Sequence, residues 1–166
     1  MMREHKMMKI YRVSAAVLLL ATIAAVPSAA DGSRQTATPI IPEGWQGIYD
    51  SMGFSPALRL GDTIYVSGII VKLVGEGSYE ERYANGLRET FKVLETMLKP
   101  MGATLDDVIE MTSFHTDLQR QLHTILTVRK EIMALPHSAW TAVGTTALAL
   151  PDGQTEIKFL VKLKAK

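Results

Sequence analysis

Thr155-Glu-Ile-Lys-Phe-Leu-Val-Lys-Leu-Lys164 is the stretch on which the fold turns. Ile157, Phe159, Val161 and Leu163 fall on one side of an extended chain, and Glu156, Lys158, Lys162 and Lys164 on the other. Side chains alternate faces along a strand, so this is a β-strand with an apolar face. Just upstream, Trp140 to Leu148 is rich in small and β-branched residues and reads as a second strand. Pro151-Asp-Gly joins the two as a turn, because proline fixes φ and glycine accepts positive φ.

An apolar sheet face needs a cover, and the chain supplies two amphipathic helices. Ser78 precedes Glu81 by the capping-box spacing, and Ala84, Leu87, Phe91, Leu94 and Leu98 then form an apolar stripe. Pro100-Met-Gly ends that helix. Asp117 is placed to cap a second helix, with Leu122, Ile125, Leu126, Ile132 and Met133 as its expected buried face and Pro136 beyond its end. Val108 to His115, between the helices, reads as a strand. Before them, Ala57 to Leu60 and Thr63 to Gly68 form a hairpin through Gly61-Asp62, continued as extended chain to Val74. The segment from Gly47 to Pro56 reads as irregular chain or a short edge strand. The order ββ, α, β, α, ββ predicts an α+β domain with two helices on one face of a sheet. Trp140, Val143, Val66 and Leu160 are too many apolar side chains for one covered face. The open face is therefore expected to meet another subunit.

The first thirty of the 166 residues stand apart. Arg3, Lys6, Lys9 and Arg12 are followed by an uncharged apolar run, Val13 to Val26, and then Ser28-Ala-Ala. That pattern predicts a signal peptide over 1–30. The run is shorter than the roughly 18 to 20 residues that span a bilayer, so no stable membrane anchor is expected after cleavage. The protein is expected to be exported, to the periplasm or outside the cell. Residues 31–46, polar and proline-bearing, read as a flexible segment, and 47–166 as the folded domain. The leader holds four of the 18 basic residues and one of the 17 acidic ones, so the remainder carries a net charge of −2. No basic surface for nucleic acid is expected. The absence of cysteine excludes thiol catalysis, disulfides and thiolate metal sites.

Other chemistries find little support. His115 and Asp117 share a strand face but have no evident third ligand, and Asp117 has a capping task, so no metal site is expected. Ser67 has no histidine at a known triad spacing. Gly75-Glu-Gly lacks the lysine and the strand–loop–helix setting of a P-loop. The methionines at 97, 101, 111 and 133 read as core filler.

Phe54-Ser-Pro-Ala, Gly61-Asp-Thr-Ile-Tyr-Val-Ser-Gly, Gly102-Ala-Thr-Leu-Asp-Asp-Val, Thr112-Ser-Phe-His-Thr-Asp-Leu and Glu156-Ile-Lys occur in that order. In this the chain resembles the RidA/YjgF family, the reactive intermediate deaminases, from about Gly47 to Leu163. The resemblance implies a Bacillus-type chorismate-mutase-like fold, a homotrimer, and small-molecule ligands in three clefts between subunits. It implies no cofactor. It also implies hydrolysis of enamines or imines to carbonyl compounds and ammonia. In that chemistry a glutamate activates water and an arginine pairs with the substrate carboxylate.

Residue by residue, Glu156 matches the water-activating glutamate, and Ser67 and Gly68 match the cleft-lining Ser-Gly. Phe54 replaces a tyrosine of many members. Trp140 stands in the position of the arginine, and an indole has one N–H and no charge. Arg129, on the second helix, is a candidate to supply the charge from another wall, against an ordinary exposed helix arginine. Trp140 is a candidate pocket wall or interface anchor. The replacement points to a substrate without a simple carboxylate anchor, or to a different cation. The alternative reading is a non-catalytic, ligand-binding or stress-protective trimer on the same scaffold.

Overall fold

In the computed structural model, which describes residues 32–164, the alternating strand is an interior strand of a six-stranded sheet. The elements are β1 (Thr38–Ile40), α1 (Gln46–Met52), β2 (Ala57–Leu60), β3 (Thr63–Val71), α2 (Tyr79–Leu98), β4 (Val108–His115), α3 (Leu118–Ile132), β5 (Ala139–Gly144) and β6 (Thr155–Lys162). Sheet order is β1-β2-β3-β6-β4-β5. Neighbours are antiparallel except β4 and β5, which run parallel. The expected signal peptide, 1–30, lies outside the described residues. Among those described, no helix is long and apolar enough to cross a membrane.

Two crossovers explain the layering. The chain goes from β3 through α2 to β4, and from β4 through α3 to β5, each time to a parallel strand further along the sheet. Crossovers of one hand that advance in one direction put their helices on the same face. β6 then enters the slot between β3 and β4. Its burial alternates as the residues predict: Ile157, Phe159 and Val161 are buried, Lys158 and Lys162 exposed. The Phe91 ring of α2 meets Phe159 at 5.9 Å between centroids. Leu87, Leu94 and Leu98 complete the buried stripe of α2, each such side chain stabilising by about 1.5–3 kcal/mol. The α2 capping box forms as expected: the Ser78 hydroxyl accepts from the Glu81 N–H, and Glu81 accepts from the Ser78 N–H at 2.8 Å. Asp117 likewise caps α3, accepting from the Arg120 N–H.

Five expectations need correction. The last two strands, read as joined by a turn, are not neighbours, because β4 lies between β5 and β6 in the sheet order and, among the described residues, β5 pairs with β4 alone. β5 ends at Gly144, and a connection over 145–154 carries the chain back to the middle of the sheet. The 47–56 segment begins in a helix, α1, where irregular chain or an edge strand was expected. The polar stretch before it contributes β1, which pairs with β2 at the sheet edge. The buried face of α3 is Gln121, Ile125, Val128 and Arg129. Leu122, Leu126 and Ile132 lie at its borders, half-buried.

One face of α3 buries a polar cluster. His115 Nδ1 lies 3.0 Å from Gln121 Oε1, an oxygen that can only accept, so Nδ1 carries the proton. Nε2 then accepts from the Ser113 hydroxyl at 2.8 Å, and that hydroxyl accepts from the Trp140 indole N–H at 2.8 Å. Thr155 Oγ1 donates to Gln121 Oε1 at 3.2 Å and lies 2.6 Å from the Tyr83 hydroxyl. Burial, partly offset by the Gln121 hydrogen bond, pushes the His115 pKa below its ordinary value.

Candidate functional site

β3 pairs with β6 in two registers. Val66 faces Phe159 and Ile69 faces Ile157, so Ser67 and Gly68 together oppose the single residue Lys158. This is a β-bulge, which bends a strand and re-aims its side chains. It falls on the Ser-Gly pair singled out from the sequence. The Ser67 hydroxyl donates to the Ser55 carbonyl at 2.7 Å and its N–H to the Pro56 carbonyl at 2.9 Å. The serine therefore fastens the approach to β2 and is not poised as a nucleophile.

Glu156 lies beyond the bulge, on the face away from α2 and α3, between Ile70 of β3 and Phe114 of β4. Its side chain lies across Gly68. A Cβ at position 68 would stand 2.5 Å from Glu156 Cδ, 2.6 Å from Cγ, and closer still to Oε1. Glycine is needed here for close approach, since its φ is not in the left-handed region. The Glu156 carboxylate makes no hydrogen bond or ion pair with any described residue.

The carboxylate opens on a cavity of about 740 Å³ lined by Phe54, Ser67, Gly68 and Glu156, within the range of small-molecule sites. Trp45, the N-cap residue of α1, and Ile48 and Met52 within it form one wall, and Ile70, Val93 and Leu150 add apolar surface. The cavity exists because β2 begins only at Ala57, opposite Val66, leaving the outer edge of β3 from Ser67 onward for α1 and the 145–154 connection to cover. Among the described residues, two other charged side chains reach it. Lys72 is paired with Asp152 at 2.9 Å, and Glu89 with Lys92 at 2.7 Å. A second depression of about 680 Å³, on the open sheet face, shares Phe54, Ser67 and Gly68. Among the described residues, no three His, Cys, Asp or Glu side chains cluster to hold a metal ion.

Of the six residues chosen from the sequence, four converge: Glu156, Gly68, Ser67 and Phe54. Trp140 and Arg129 are elsewhere in the same chain. Trp140 shares a sheet row with Met111 and Phe159, both buried under the helices. Glu156 shares its row with Phe114, which pairs in turn with Val143, on the opposite face. The Trp140 N–H is taken by Ser113. Arg129 is only 6 % exposed, donates from Nη2 to the Ser138 carbonyl at 2.8 Å and to its hydroxyl at 3.1 Å, and stands 5.5 Å from the Trp140 ring. It is thus neither an exposed helix arginine nor a cation in the Glu156 cavity. Of the four apolar residues expected to crowd one face, Val66 and Trp140 lie under the helices, while Val143 and Leu160 face the other way.

The α1 wall was missed from the sequence, although Trp45, Ile48 and Met52 recur at i, i+3 and i+7, a helical period. Seven residues are too few for that period to stand out. Gly86 was also missed. A Cβ there would run into the Lys72 carbonyl, so glycine lets α2 approach the end of β3.

The endoribonuclease L-PSP family model matches residues 46–163. The RutC family protein YjgH of Escherichia coli is 39% identical over 127 residues, covering 76% of this chain and 95% of that protein. A solved structure of YjgH superposes with a TM-score of 0.63 at 35% identity, covering 78% of this chain and 98% of that one. A Mycobacterium tuberculosis member of the YjgF/YER057c/UK114 family gives a TM-score of 0.63 at 24% identity, covering 76% and 99%, a likeness of fold.

Proposed function

This chain belongs to the endoribonuclease L-PSP family, the RidA/YjgF family, and from that premise we propose that it hydrolyses enamines or imines to carbonyl compounds and ammonia. The observation that carries this reading is the unpartnered Glu156 carboxylate, laid across Gly68 at the mouth of an apolar cavity. A carboxylate so placed can take a proton from water as the oxygen attacks an iminium carbon. The carbinolamine nitrogen then receives that proton from Glu156, the C–N bond breaks, and the hydroxyl proton leaves as the carbonyl forms. Iminium and water give carbonyl compound and ammonium, with Glu156 returned to its starting state.

The assembly is read as a homotrimer with the cavity at a subunit seam. Met52, Phe54, Val74 and Leu150 rim the cavity as exposed apolar side chains, and Tyr65 and Val143 are exposed on the open sheet face. A patch of that kind calls for a protein partner. Trp140 and Glu156 lie on opposite faces of one sheet, so a meeting between them requires a second subunit. A monomer by light scattering at micromolar concentration overturns the seam. Export through the 1–30 leader is part of the same reading, and mass spectrometry of the mature N-terminus tests it.

Catalysis is tested with an imine generated in situ by an oxidase, scoring protein-dependent ammonia release. Glu156→Gln is expected to lower the rate by about 10²–10⁴ with the assembly intact. An unchanged rate removes Glu156 from the chemistry. Inactivity of the parent protein towards all imines, with ligand-induced thermal stabilisation, supports the binding-only alternative, which the loss of the arginine at Trp140 favours.

A further inference from the structure

We infer that the ligand of the Glu156 cavity is the imine of an apolar, preferably aromatic, primary amine, a cation without a carboxylate. This rests on the imine-hydrolase reading above and narrows its substrate.

The argument is one of charge and surface within the cavity. Trp45, Ile48 and Met52 on one side and Ile70, Val93 and Leu150 on the others offer an aromatic and aliphatic lining to a hydrocarbon side group. Among the described residues, the cation that reaches the cavity is Lys72, and it is paired with Asp152. Glu89 is paired with Lys92. Among the described residues, the remaining charge is the negative one on Glu156, which has no hydrogen-bond or ion-pair partner there. A protonated imine, C=NH₂⁺, supplies both the opposite charge and two N–H donors to that carboxylate. A 2-imino acid brings a second carboxylate into the same apolar space, where like charges repel and no unpaired cation among the described residues of the same subunit receives it. Arg129 does not repair this, since its guanidinium is committed to Ser138 beneath the other sheet face.

The test compares two imines that differ only in the carboxylate. One is formed in situ from 2-phenylethylamine by an amine oxidase, the other from phenylalanine by an amino-acid oxidase. Hydrolysis is read as protein-dependent loss of imine in competition with semicarbazide. The full-length mature protein is expected to show a kcat/KM at least about tenfold higher for the carboxylate-free imine, tenfold being about 1.4 kcal/mol. A parallel titration uses stable probes. 2-Phenylethylammonium is expected to bind at least about tenfold more tightly than phenylpyruvate, and Glu156→Gln to abolish that preference.

Faster hydrolysis of the carboxylated imine overturns the inference while leaving the hydrolase reading intact. Loss of that activity in Lys72→Met would then show that Lys72 leaves Asp152 to hold the carboxylate. Binding of the ammonium probe with hydrolysis of neither imine overturns the hydrolase reading and supports the ligand class. Neither binding nor hydrolysis overturns both.

Discussion

Gly68→Ala separates the position of the Glu156 carboxylate from the stability of the domain. The backbone at 68 is not in the left-handed region, so alanine fits it. Ordered alanine is favoured over glycine in an extended segment by about 0.5–1 kcal/mol. Against this, the new methyl meets Glu156 Cγ at 2.6 Å and Cδ at 2.5 Å. Ordinary contact begins near 3.4 Å, so these two atoms must retreat by about 0.8–0.9 Å, and Oε1, which lies closer to the methyl, by more. The atoms in the way belong to a flexible side chain, and an off-rotamer χ costs about 0.5–1.5 kcal/mol. The two terms offset each other, and denaturant unfolding is expected to shift by less than about 1 kcal/mol.

The rate is more sensitive. A displacement of about 1 Å in a reacting group costs about 10²-fold, so kcat/KM for imine hydrolysis should fall by about that factor. The assay is imine loss under semicarbazide competition, with circular dichroism and light scattering to show that fold and assembly persist. Gly68→Ala combined with Glu156→Gln should be no slower than Glu156→Gln alone, since both remove the same group. A folded Gly68→Ala protein with an unaltered rate refutes the reasoning. So does a double variant slowed by the product of the two single effects.

Gly86→Ala should destabilise by about 1–2 kcal/mol. Overpacking costs roughly 1–3 kcal/mol, and the helix propensity of alanine returns up to about 1. Here the obstacle is the Lys72 backbone carbonyl, which cannot rotate aside, and an unshifted urea midpoint would contradict the close approach. The depressed pKa of His115 makes stability depend on pH. The unfolded chain binds the proton first, near pH 6.5. The stabilisation is therefore complete above that value and lost as pH falls through it towards the lower folded value. Unfolding free energy should decline between about pH 7 and 5, with a shallower slope in His115→Asn, and equal slopes would place the titration elsewhere.

Much of the fold was legible where the chemistry is local. The capping box at Ser78 and Glu81, the Asp117 cap, the Gly61-Asp62 hairpin and the two-residue alternation of β6 depend on neighbours within a few positions. Local hydrogen bonds and strand geometry suffice to read them. The α3 face was misread because Gln121 and Arg129 are polar residues whose burial is enabled by partners outside the helix, His115 and Ser138. A hydrophobicity pattern does not register a buried amide. The α1 wall was missed because a helix of seven residues barely exceeds the noise of its own period.

The amino-acid sequence alone determined the α+β class, the family, and the three residues that gather round Glu156, because each is tied to a motif of a few residues. Only the tertiary structure decided where β6 lies in the sheet. β6 could close a hairpin with β5 or enter between β3 and β4, and its alternation satisfies either. The second choice buries its apolar row under α2 while pairing both of its edges. The same choice sets Trp140 and Glu156 on opposite faces, because residues aligned across a ladder share a face, and that alignment is a property of the assembled sheet.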